Sequence, residues 1–421
     1  MRFGIHTLDD FDVRGKTVLC RVDMNQPIDR TTGMLKSTSR IQACIITIRE
    51  LVEKGAKVVL LAHQGSDIEY KNYFTTAPHA DVLSQLMNYE IQFIDDVTGP
   101  AARAKIQSLK NGQILLLDNV RFCSEEQTLF ELKLCLTHEQ QAQTEVVRKL
   151  APLADLYVCD AFAAAHRDQP SLCGFEQILP SAMGRLFEKE YCVISELMEA
   201  PKHPCIFILG GAKISDAFLM METILRNDIA DAILTGGLVG NILLSSQGVE
   251  IGKRSLDFIL QSNYGEYIEK AGALYQEYSD RIYLPVDLAQ VVGGCRIEEK
   301  VGSIPAEFNG VDIGSATAQM YRNIIMNAKT VFCNGPMGVF ENIESELGTK
   351  EVFTAIADTN AYSVIGGGDS ITAVNKYHLA KYINYICTGG GALIRFLSGE
   401  ELPVVKALRY AASVHTGIRD K

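Results

Sequence analysis

The sequence predicts an α/β protein built on parallel sheets and divided into two halves. Short, nearly continuous apolar runs recur along the chain and alternate with helix-like stretches. Such runs are typical of strands in parallel sheets whose two faces are covered by helices. Of the 421 residues, 47% are hydrophobic, so the chain is long enough for two or three domains with large cores.

The predicted strands of the first half end in charged or hydrogen-bonding residues. These strands are TVLCRVD (17–23), KVVLLAH (57–63), QILLLDN (113–119) and LYVCDAF (156–162). Ligands of parallel sheets bind beyond the carboxyl ends of the strands, so the polar residues there form a candidate site. They are Arg21, Asp23, Asn25, His63, Asn119, Arg121, Asp160, His166 and Arg167.

The predicted strands of the second half end mostly in glycine clusters. These strands are CIFILGG (205–211), DAILTGG (231–237), RIYLPVD (281–287), TVFCNGP (330–336), YSVIGGG (362–368) and NYICTGG (384–390). Glycines ahead of helices let backbone amides approach phosphates and leave room for a flat base. The second half is therefore predicted to hold a nucleotide.

The change in strand endings marks a domain boundary. Pro180 and Pro201 bracket a stretch of mixed polarity that is typical of a helical connector. We expect a first domain at 1–180, a connecting helix at 181–200 and a second domain at 201–395. A C-terminal segment, 396–421, is expected to return to the first domain.

The arginines of the first half suit a small phosphorylated acid. Their planar, permanently charged groups match carboxylate and phosphate oxygens, and Asp23 and Asn25 could bond to hydroxyls. A single arginine could instead form a salt bridge with Asp118 or Asp168, but arginines at several equivalent strand ends favour a ligand role. The histidines, His63 and His166, are assigned only supporting roles.

The stretch FILGGAKISD (207–216) places a lysine just after a glycine pair. It matches neither the G-x-x-x-x-G-K-[ST] phosphate loop nor the G-x-G-x-x-G dinucleotide fingerprint. Taken alone, the stretch could be an ordinary strand, turn and helix start with Lys213 exposed to solvent.

Composition excludes several classes of function. A net charge of −11 and a pI near 5.3 argue against a nucleic-acid binder or a protein of anionic membranes. The eleven cysteines show no CxxC pair and no zinc spacing, which indicates reduced thiols. Without a signal peptide or an apolar run long enough for a bilayer, the chain is expected to be cytoplasmic.

Seven motifs in order resemble those of the phosphoglycerate kinase family, from about residue 15 to about residue 410. They are RVDMNQP (21–27), DNVRF (118–122), DAFAAAHR (160–167), ILGGAKISD (208–216), NGPMGVFE (334–341), IGGGDS (365–370) and TGGGA (388–392). AHQ (62–64), AFAAAHR and GGGALIRFLSGEELP (389–403) are similar to the archaeal branch. The resemblance implies two Rossmann-like domains joined by a hinge helix around a central cleft.

The resemblance also implies an activity and its small-molecule partners. A phosphoryl group would pass between 1,3-bisphosphoglycerate and Mg-ADP, with no covalent enzyme intermediate, in the glycolytic or the gluconeogenic direction. ATP or ADP would be the co-substrate and Mg²⁺ the cofactor. The protein would be a monomer or a homodimer that binds neither nucleic acid nor membranes.

Three sets of site residues follow from the resemblance. The acid would be held by Asp23, Asn25, Arg40, His63, Arg121 and Arg167. Transfer itself would involve Arg40, Lys213, Gly368 and Gly391. The nucleotide would be bound by Gly210, Gly211, Lys213, Gly236, Gly237, Asn334, Pro336, Glu341, Gly366, Gly367, Gly368, Asp369 and Ser370, with Asp369 also meeting the metal.

Two departures from the family pattern keep other functions open. Where the family usually reads H-x-x-R-P, this chain has Ser66 and Asp67, so the acid site has less positive charge unless Lys71 replaces the arginine. Ala217 stands where many members have a second lysine. The hypotheses are an active phosphoglycerate kinase, a paralogous kinase for a related small acid, and a nucleotide-binding regulator with little catalysis.

Overall fold

The computed structural model describes residues 1–29, 31–65, 74–126 and 135–415. The chain forms two compact units, Met1–Cys192 with Glu401–Lys421, and Val193–Glu400. Each unit contains a six-stranded sheet whose neighbouring strands are all parallel. The predicted α/β class with parallel sheets is confirmed.

The sheet of the first unit has the strand order β3-β4-β2-β1-β5-β6. Its strands are β1 (Thr17–Arg21), β2 (Lys57–Leu61), β3 (Ile91–Ile94), β4 (Ile114–Leu117), β5 (Leu156–Cys159) and β6 (Ser181–Met183). In the central strand β1, Cys20 pairs with Leu60 of β2 on one side and with Val158 of β5 on the other. The carboxyl ends of β1, β2, β4 and β5 therefore lie along one edge of the sheet.

Helices cover this sheet and bury its apolar strands. They are α1 (Ser39–Glu53), α2 (Ala77–Met87), α3 (Pro100–Gln107), α4 (His138–Gln141), α5 (Glu145–Leu150) and α6 (Pro170–Cys173). Helix α1 buries Ile41, Cys44, Ile48 and Leu51, whose spacing of three or four residues puts them on one face. These side chains join the same core as the residues of β1 and β2.

Helix α7 (Arg185–Glu199) begins in the first unit and ends in the second. The Oδ1 atom of Asp160 accepts hydrogen bonds from the amides of Leu186 at 2.9 Å and Phe187 at 3.1 Å, and so caps this helix. The segment 181–200, for which a helix was expected, starts with strand β6 because residues 181–183 pair with β5.

The sheet of the second unit has the order β15-β14-β13-β7-β8-β9, and a smaller antiparallel sheet has the order β11-β10-β12. The strands are β7 (Cys205–Leu209), β8 (Ala232–Thr235), β9 (Ile282–Tyr283), β10 (Asp287–Val292), β11 (Cys295–Lys300), β12 (Asp312–Ile313), β13 (Thr330–Asn334), β14 (Tyr362–Gly366) and β15 (Tyr385–Ile386). The predicted strand 281–287 is split into β9 and the start of β10, since Pro285 cannot donate a ladder hydrogen bond.

Eight helices of the second unit lie among the described residues. They are α8 (Ile214–Arg226), α9 (Gly237–Ser246), α10 (Lys253–Gln261), α11 (Glu266–Tyr278), α12 (Ser315–Met326), α13 (Leu347–Asp358), α14 (Gly368–Lys376) and α15 (Gly390–Leu397). Helices α8, α9, α14 and α15 each start just after a strand of the large sheet, which places their amino ends at its carboxyl edge.

The last described helix, α16 (Pro403–Val414), belongs to the first unit. It packs against β6 and α6, and the amide of Val404 donates to the carbonyl of Ala165 at 3.3 Å. Within the described part of the chain, the search for a helix long and apolar enough to cross a bilayer finds no candidate.

Candidate active site

The first unit gathers arginines around a buried histidine at the carboxyl edge of its sheet. His63 follows β2 and is 3% exposed. Burial lowers the pKa of His63 well below its ordinary value, and the charges of Arg21, Arg121, Arg167 and Arg40 lower it further. The imidazole is therefore neutral at physiological pH, and the positive charge at this edge comes from arginines.

A chain of buried hydrogen bonds fixes the tautomer of His63. Arg21, the last residue of β1, donates from Nη2 to Nδ1 of His63 at 3.1 Å. A permanently protonated guanidinium can only donate, so Nδ1 accepts and the ring proton sits on Nε2. Arg21 Nε donates in turn to Ser171 Oγ at 3.0 Å, which donates to Glu126 Oε2 at 3.1 Å. Glu126 and Ser171 were missed in the sequence because they lie far along the chain from Arg21.

Asp23 orients two of the expected acid ligands. Its Oδ2 accepts from Nη1 of Arg40 at 2.5 Å, and its Oδ1 accepts from the amide of Asn25 at 3.1 Å. Arg40 lies in the first turn of α1 and its side chain is 38% exposed, whereas Asp23 is buried. Because the carboxylate anchors one end of the guanidinium, the fork is held in place while part of it faces solvent.

Gln64 joins the loops that follow β1, β2 and β4. Its Oε1 accepts from the amide of Gln26 at 3.0 Å and its Nε2 donates to the carbonyl of Gln26 at 2.8 Å. Asn119 Nδ2 donates to the carbonyl of Gln64 at 2.9 Å, and Arg121 Nη1 donates to the carbonyl of Gly65. The sequence indicated Gln64 only as part of the motif AHQ (62–64), whereas the structure shows that its side chain positions these loops.

Two expected residues of the first unit, His166 and Arg167, lie in the turn after β5. Arg167 is partly buried in the turn after β5, and its charge acts on His63. His166 beside it is also partly buried. Ser66, Asp67 and Lys71, on which the modified acid site depends, lie outside the described residues.

The glycines after β7, β8 and β13 pack loop against loop. The amide of Gly210 donates to the carbonyl of Asn334 at 3.1 Å, and that of Gly211 donates to Pro336 at 2.8 Å. A Cβ on Gly210 would lie 2.2 Å from the carbonyl oxygen of Pro336. The amides of Gly236 and Gly237 also donate to backbone carbonyls. These four amides are thus occupied within the loops, and the glycines allow close approach of backbone to backbone.

The same loops border a cavity of about 390 Å³. It is lined by Gly211, Ala212, Gly237, Leu238, Asn241, Ser255, Phe258, Pro285, Leu288, Asn309, Gly310, Val311, Asp312, Ile313, Pro336, Met337, Gly338, Val339, Phe340, Glu341 and Asp369. Of the expected nucleotide residues, the cavity brings together Gly211, Gly237, Pro336, Glu341 and Asp369. A largely apolar wall with a few polar groups is typical of a pocket for a flat organic ring.

Asp312 is a cavity residue that the sequence did not reveal. It is 4% exposed, and burial raises its pKa to about 6, although the amide of Gly348 and the charge of Arg296 act in the opposite direction. Arg296 Nη1 lies 3.0 Å from Asp312 Oδ2. No strand-end pattern marks this residue, because it lies in the short antiparallel strand β12.

Helices α14 and α15 present their amino ends at this edge of the sheet. Gly367 precedes α14 with φ of 87°, and a Cβ there would lie 2.5 Å from Oδ1 of Asn334. By contrast, no atom lies within 4 Å of the position of a Cβ on Gly368. The first amides of a helix lack intrahelical acceptors, so this open position suits an anion.

Neighbouring residues show which groups around α14 are already engaged. Ser370 is fully buried and its Oγ accepts from the amide of Gly335 at 2.7 Å, whereas Asp369 in the same turn is exposed. A Cβ on Gly366 would lie 2.1 Å from Leu393 of α15, so this glycine allows the helix to pack on β14. Gly391 lies in the first turn of α15.

Lys213 is exposed at the amino end of α8. It follows the Gly210–Gly211 turn, and its neighbour Ala212 lines the cavity. A cation on a flexible stem at this position can reach a phosphate bound at the edge of the sheet.

An arginine-rich strand edge in one α/β unit and a cavity beside helix amino ends in another are features that a phosphotransferase for a small acid requires. Comparison with known proteins gives the family. The model of the family described as phosphoglycerate kinase matches residues 8–400. The chain therefore belongs to the phosphoglycerate kinase family, whose members use ATP or ADP as co-substrate.

Individual relatives support this membership over nearly the whole chain. A phosphoglycerate kinase of Methanothermus fervidus is 43% identical over 97% of this chain and 98% of its own length. One of Pyrococcus horikoshii is 42% identical over 96% of this chain and 97% of its own. The crystal structure of phosphoglycerate kinase from Pyrococcus horikoshii OT3 is similar with a TM-score of 0.87, at 41% identity, covering 97% of this chain and 100% of that one. The archaeal resemblance is confirmed.

A bacterial structure is also similar. The structure of phosphoglycerate kinase from Coxiella burnetii has a TM-score of 0.82 at 28% identity, and the match covers 96% of this chain and 98% of that one. The fold of two parallel-sheet units thus persists at an identity well below that of the archaeal relatives.

Proposed function

We propose that this chain uses the site residues above to transfer a phosphoryl group reversibly between 1,3-bisphosphoglycerate and ADP, giving 3-phosphoglycerate and ATP. The observation that carries the proposal is the set of arginines around the neutral His63 at the edge of the first sheet. Several fixed positive charges in one place suit a ligand with both a carboxyl and a phosphate group.

In this proposal the acid binds to the first unit. Arg40, Arg121 and Arg167 neutralise the anionic groups, and His63 donates from Nε2 because Arg21 occupies Nδ1. Asp23 and Asn25 hold Arg40 and the loop at Gly65, respectively. The domain limits proposed for this function are those expected above, with α7 as the hinge.

The nucleotide binds to the second unit in the same proposal. Its base and ribose lie in the cavity near Glu341, and its phosphates lie at the open amino ends of α14 and α15, near Gly368 and Gly391. Asn334, Gly366 and Gly367 shape the edge on which the phosphates rest. Six other expected nucleotide residues are assigned a packing role, because their hydrogen-bonding groups or close contacts are engaged by neighbouring loops. They are Gly210, Gly211, Gly236, Gly237, Pro336 and Ser370.

Mg²⁺ is the proposed cofactor, and Asp369 is the residue that would hold it. An exposed carboxylate in the first turn of α14 fits this ion, which prefers oxygen ligands and keeps several waters. When bound, the metal would supply positive charge to the nucleotide phosphates.

The chain's own residues supply positioning and charge. Phosphoryl transfer needs alignment of the two ligands and stabilisation of the equatorial oxygens, and no covalent nucleophile is required. Lys213 and Arg40 are the proposed cations for the moving group, and the amides of Gly368 and Gly391 donate to it. Hinge bending, which membership of the family implies, is the proposed means of excluding water from the moving group.

A coupled assay with 3-phosphoglycerate and Mg-ATP tests the proposal. We expect turnover with this acid to exceed that with every other small acid of a matched panel. The sequence Ser66-Asp67 favours a second candidate, a kinase for a related acid, and faster turnover of another acid would establish it. Nucleotide binding without turnover of any acid would indicate a regulator.

A cytoplasmic location is supported by the acidic composition and by the eleven cysteines without zinc or redox spacing. A monomer or a homodimer is expected, and sedimentation analysis of the purified protein distinguishes the two.

A further inference from the structure

Three metal-ligating side chains from separate segments meet in the first unit, away from the nucleotide cavity. They are His138 at the start of α4, Asp168 in the turn after β5 and Cys173 at the end of α6. One ligand atom of each lies within 4.8 Å of the others. No sequence motif marks this cluster, because its members come from separate segments and lack a metal-binding spacing.

Direct contacts hold the three groups in place. His138 Nε2 lies 3.3 Å from Asp168 Oδ1, and the same carboxylate oxygen accepts from Nε2 of Gln141. Cys173 Sγ lies 3.8 Å from the carbonyl oxygen of Arg167. Gln141 is 1% exposed and its Oε1 has no hydrogen-bond partner among the described residues. The buried side-chain amide of Gln141 therefore holds the Asp168 carboxylate in place, while only its nitrogen is hydrogen-bonded among the described residues.

The burial of the three groups is graded in a way that suits an ion entering from solvent. The thiol of Cys173 is buried, the His138 side chain is 13% exposed and the Asp168 side chain is 47% exposed.

We propose that His138, Asp168 and Cys173 form a binding site for a zinc-like divalent cation. Nitrogen, oxygen and sulfur donors together select Zn²⁺ over Mg²⁺, which takes oxygen ligands. Zn²⁺ is tetrahedral, so three protein ligands leave the fourth position to water, on the side where Asp168 is exposed. The ion binds as Cys173 releases its thiol proton to the buffer, and the resulting thiolate ligates the metal.

Two titrations of the full-length protein, in nucleotide-free buffer, test the site. Zinc chloride in a calorimeter should bind with a stoichiometry of one, and the heat should depend on the buffer because a proton is released. Cobalt chloride should give a thiolate-to-metal charge-transfer band in the near ultraviolet. Absence of this band in the wild type would overturn the proposal, because the three groups would then form only an ion pair and a thiol hydrogen bond.

Matched variants assign the ligands. Cys173→Ser should abolish the cobalt band, and Asp168→Asn, which keeps an oxygen that can accept from Gln141, should weaken zinc binding at least about tenfold, the scale measured for groups one shell further out. Cys135→Ser is the control, since Cys135 is an exposed cysteine three residues before His138. A band that survives in Cys173→Ser and disappears in Cys135→Ser would contradict the assignment.

The site adjoins an expected acid-binding residue. Asp168 follows Arg167 in the chain, and Cys173 lies close to the carbonyl of Arg167. Zinc should therefore restrain the turn that carries Arg167 and raise the KM for 3-phosphoglycerate several-fold, and Asp168→Asn should weaken that effect. This consequence rests on the proposed function, whereas the titrations do not. Zinc binding with an unchanged KM would overturn the coupling and leave the site established.

Discussion

His63 shows how a buried network can decide what one side chain offers to a ligand. Its Nδ1 atom is occupied by Arg21, which is held through Ser171 to Glu126. Burial raises the pKa of Glu126, while the charge of Arg21 and the hydrogen bonds from Ser171 lower it, so the carboxyl group depends on these partners for its charge. The four residues therefore act together, although only His63 and Arg21 lie at strand ends.

Removal of the Ser171 hydroxyl should loosen this network. Ser171→Ala leaves Arg21 Nε and one Glu126 oxygen without their shared partner, so we expect the KM for 3-phosphoglycerate to rise roughly fivefold, equivalent to about 1 kcal/mol. The nucleotide KM should stay unchanged. Ser181→Ala is the matched control, because Ser181 is also buried but its hydroxyl donates to the carbonyl of Leu179 at 2.8 Å. Equal rises in both variants would indicate a general loss of packing.

Lys213 is expected to interact with the moving phosphoryl group more strongly than with either ground state. Lys213→Ala should then lower kcat by roughly 10²–10³, the scale for the loss of one preorganised electrostatic contact, with little change in nucleotide affinity. Steady-state kinetics and nucleotide titration measure the two effects separately. Lys202→Ala, a lysine of the same unit before β7, is the control, and a near-normal kcat in Lys213→Ala would refute the assignment.

At the residue scale the sequence predicted the type of chemistry better than the contacts. Arginines after strand ends indicated an anion site, and the structure brings their charges together around His63. The sequence could not show that Arg21 is turned inward onto Ser171, because a strand end specifies the edge of the sheet and not the direction of a long side chain. It missed Asp312 because no strand-end pattern marks the short antiparallel strand β12.

Among the strands, the sequence predicted the buried ones and missed several that are exposed. The buried strands β1, β2, β4 and β5 were predicted because they are continuously apolar, whereas β3 was missed because all four of its residues are only partly buried. The antiparallel hairpin of β10 and β11 was missed because β11 is polar and mostly exposed and the second half of β10 is also exposed. The two strands are joined by Gly293 and Gly294, with φ of 57° and 80°. Edge and hairpin strands depend on pairing more than on apolar sequence.

The glycine loops give a test at the scale of an element. A Cβ on Gly210 would overlap the Pro336 carbonyl, so Gly210→Ala should force the loops after β7 and β13 apart and reduce the free energy of unfolding by about 1–3 kcal/mol. Gly368→Ala is the matched comparison, since its Cβ meets nothing within 4 Å. It should keep nearly wild-type stability but lose activity, because the methyl group occupies the proposed phosphate position. Denaturant unfolding and the coupled assay distinguish the two outcomes.

The cap of α7 gives a pH-dependent prediction. Burial raises the pKa of Asp160 to about 7, although the Thr47 hydroxyl and the amides of Phe187 and Leu186 act in the opposite direction. A carboxyl group whose pKa is raised on folding contributes stability at low pH that is lost as pH rises through the folded value. At 1.36 kcal/mol per pKa unit the wild type should lose roughly 4 kcal/mol between pH ~4 and pH ~8 from this group.

Asp160→Asn isolates that contribution. The amide oxygen can still accept from Leu186 and Phe187, but the side chain no longer ionises. The stability of the wild type relative to the variant should therefore fall steadily as the pH is raised across this range. Urea unfolding at a series of pH values measures the difference, and a difference independent of pH would show that Asp160 keeps an ordinary pKa.

At the scale of the whole molecule, the proposed function assigns each of the two ligands to its own separately packed unit. Each unit has its own large parallel sheet, and each proposed ligand meets the carboxyl edge of one of them. The boundary between residues 192 and 193 falls inside α7, a continuous helix that belongs in part to each unit. Composition indicated two halves in the sequence, but the position of the division inside a helix depends on tertiary packing.

This division predicts how each ligand protects the backbone against hydrogen exchange. Because binding stabilises only the segments that contact the ligand, 3-phosphoglycerate alone should slow exchange in the loops after β1, β2, β4 and β5, and leave the second unit unchanged. Mg-ADP alone should slow exchange at the amino ends of α14 and α15 and leave the first unit unchanged. A variant with Arg121→Ala is the control, since it should lose the protection by the acid but keep that by the nucleotide. Protection of the first unit by Mg-ADP in both proteins would mean that the nucleotide binds elsewhere and that the proposed partition of ligands is wrong.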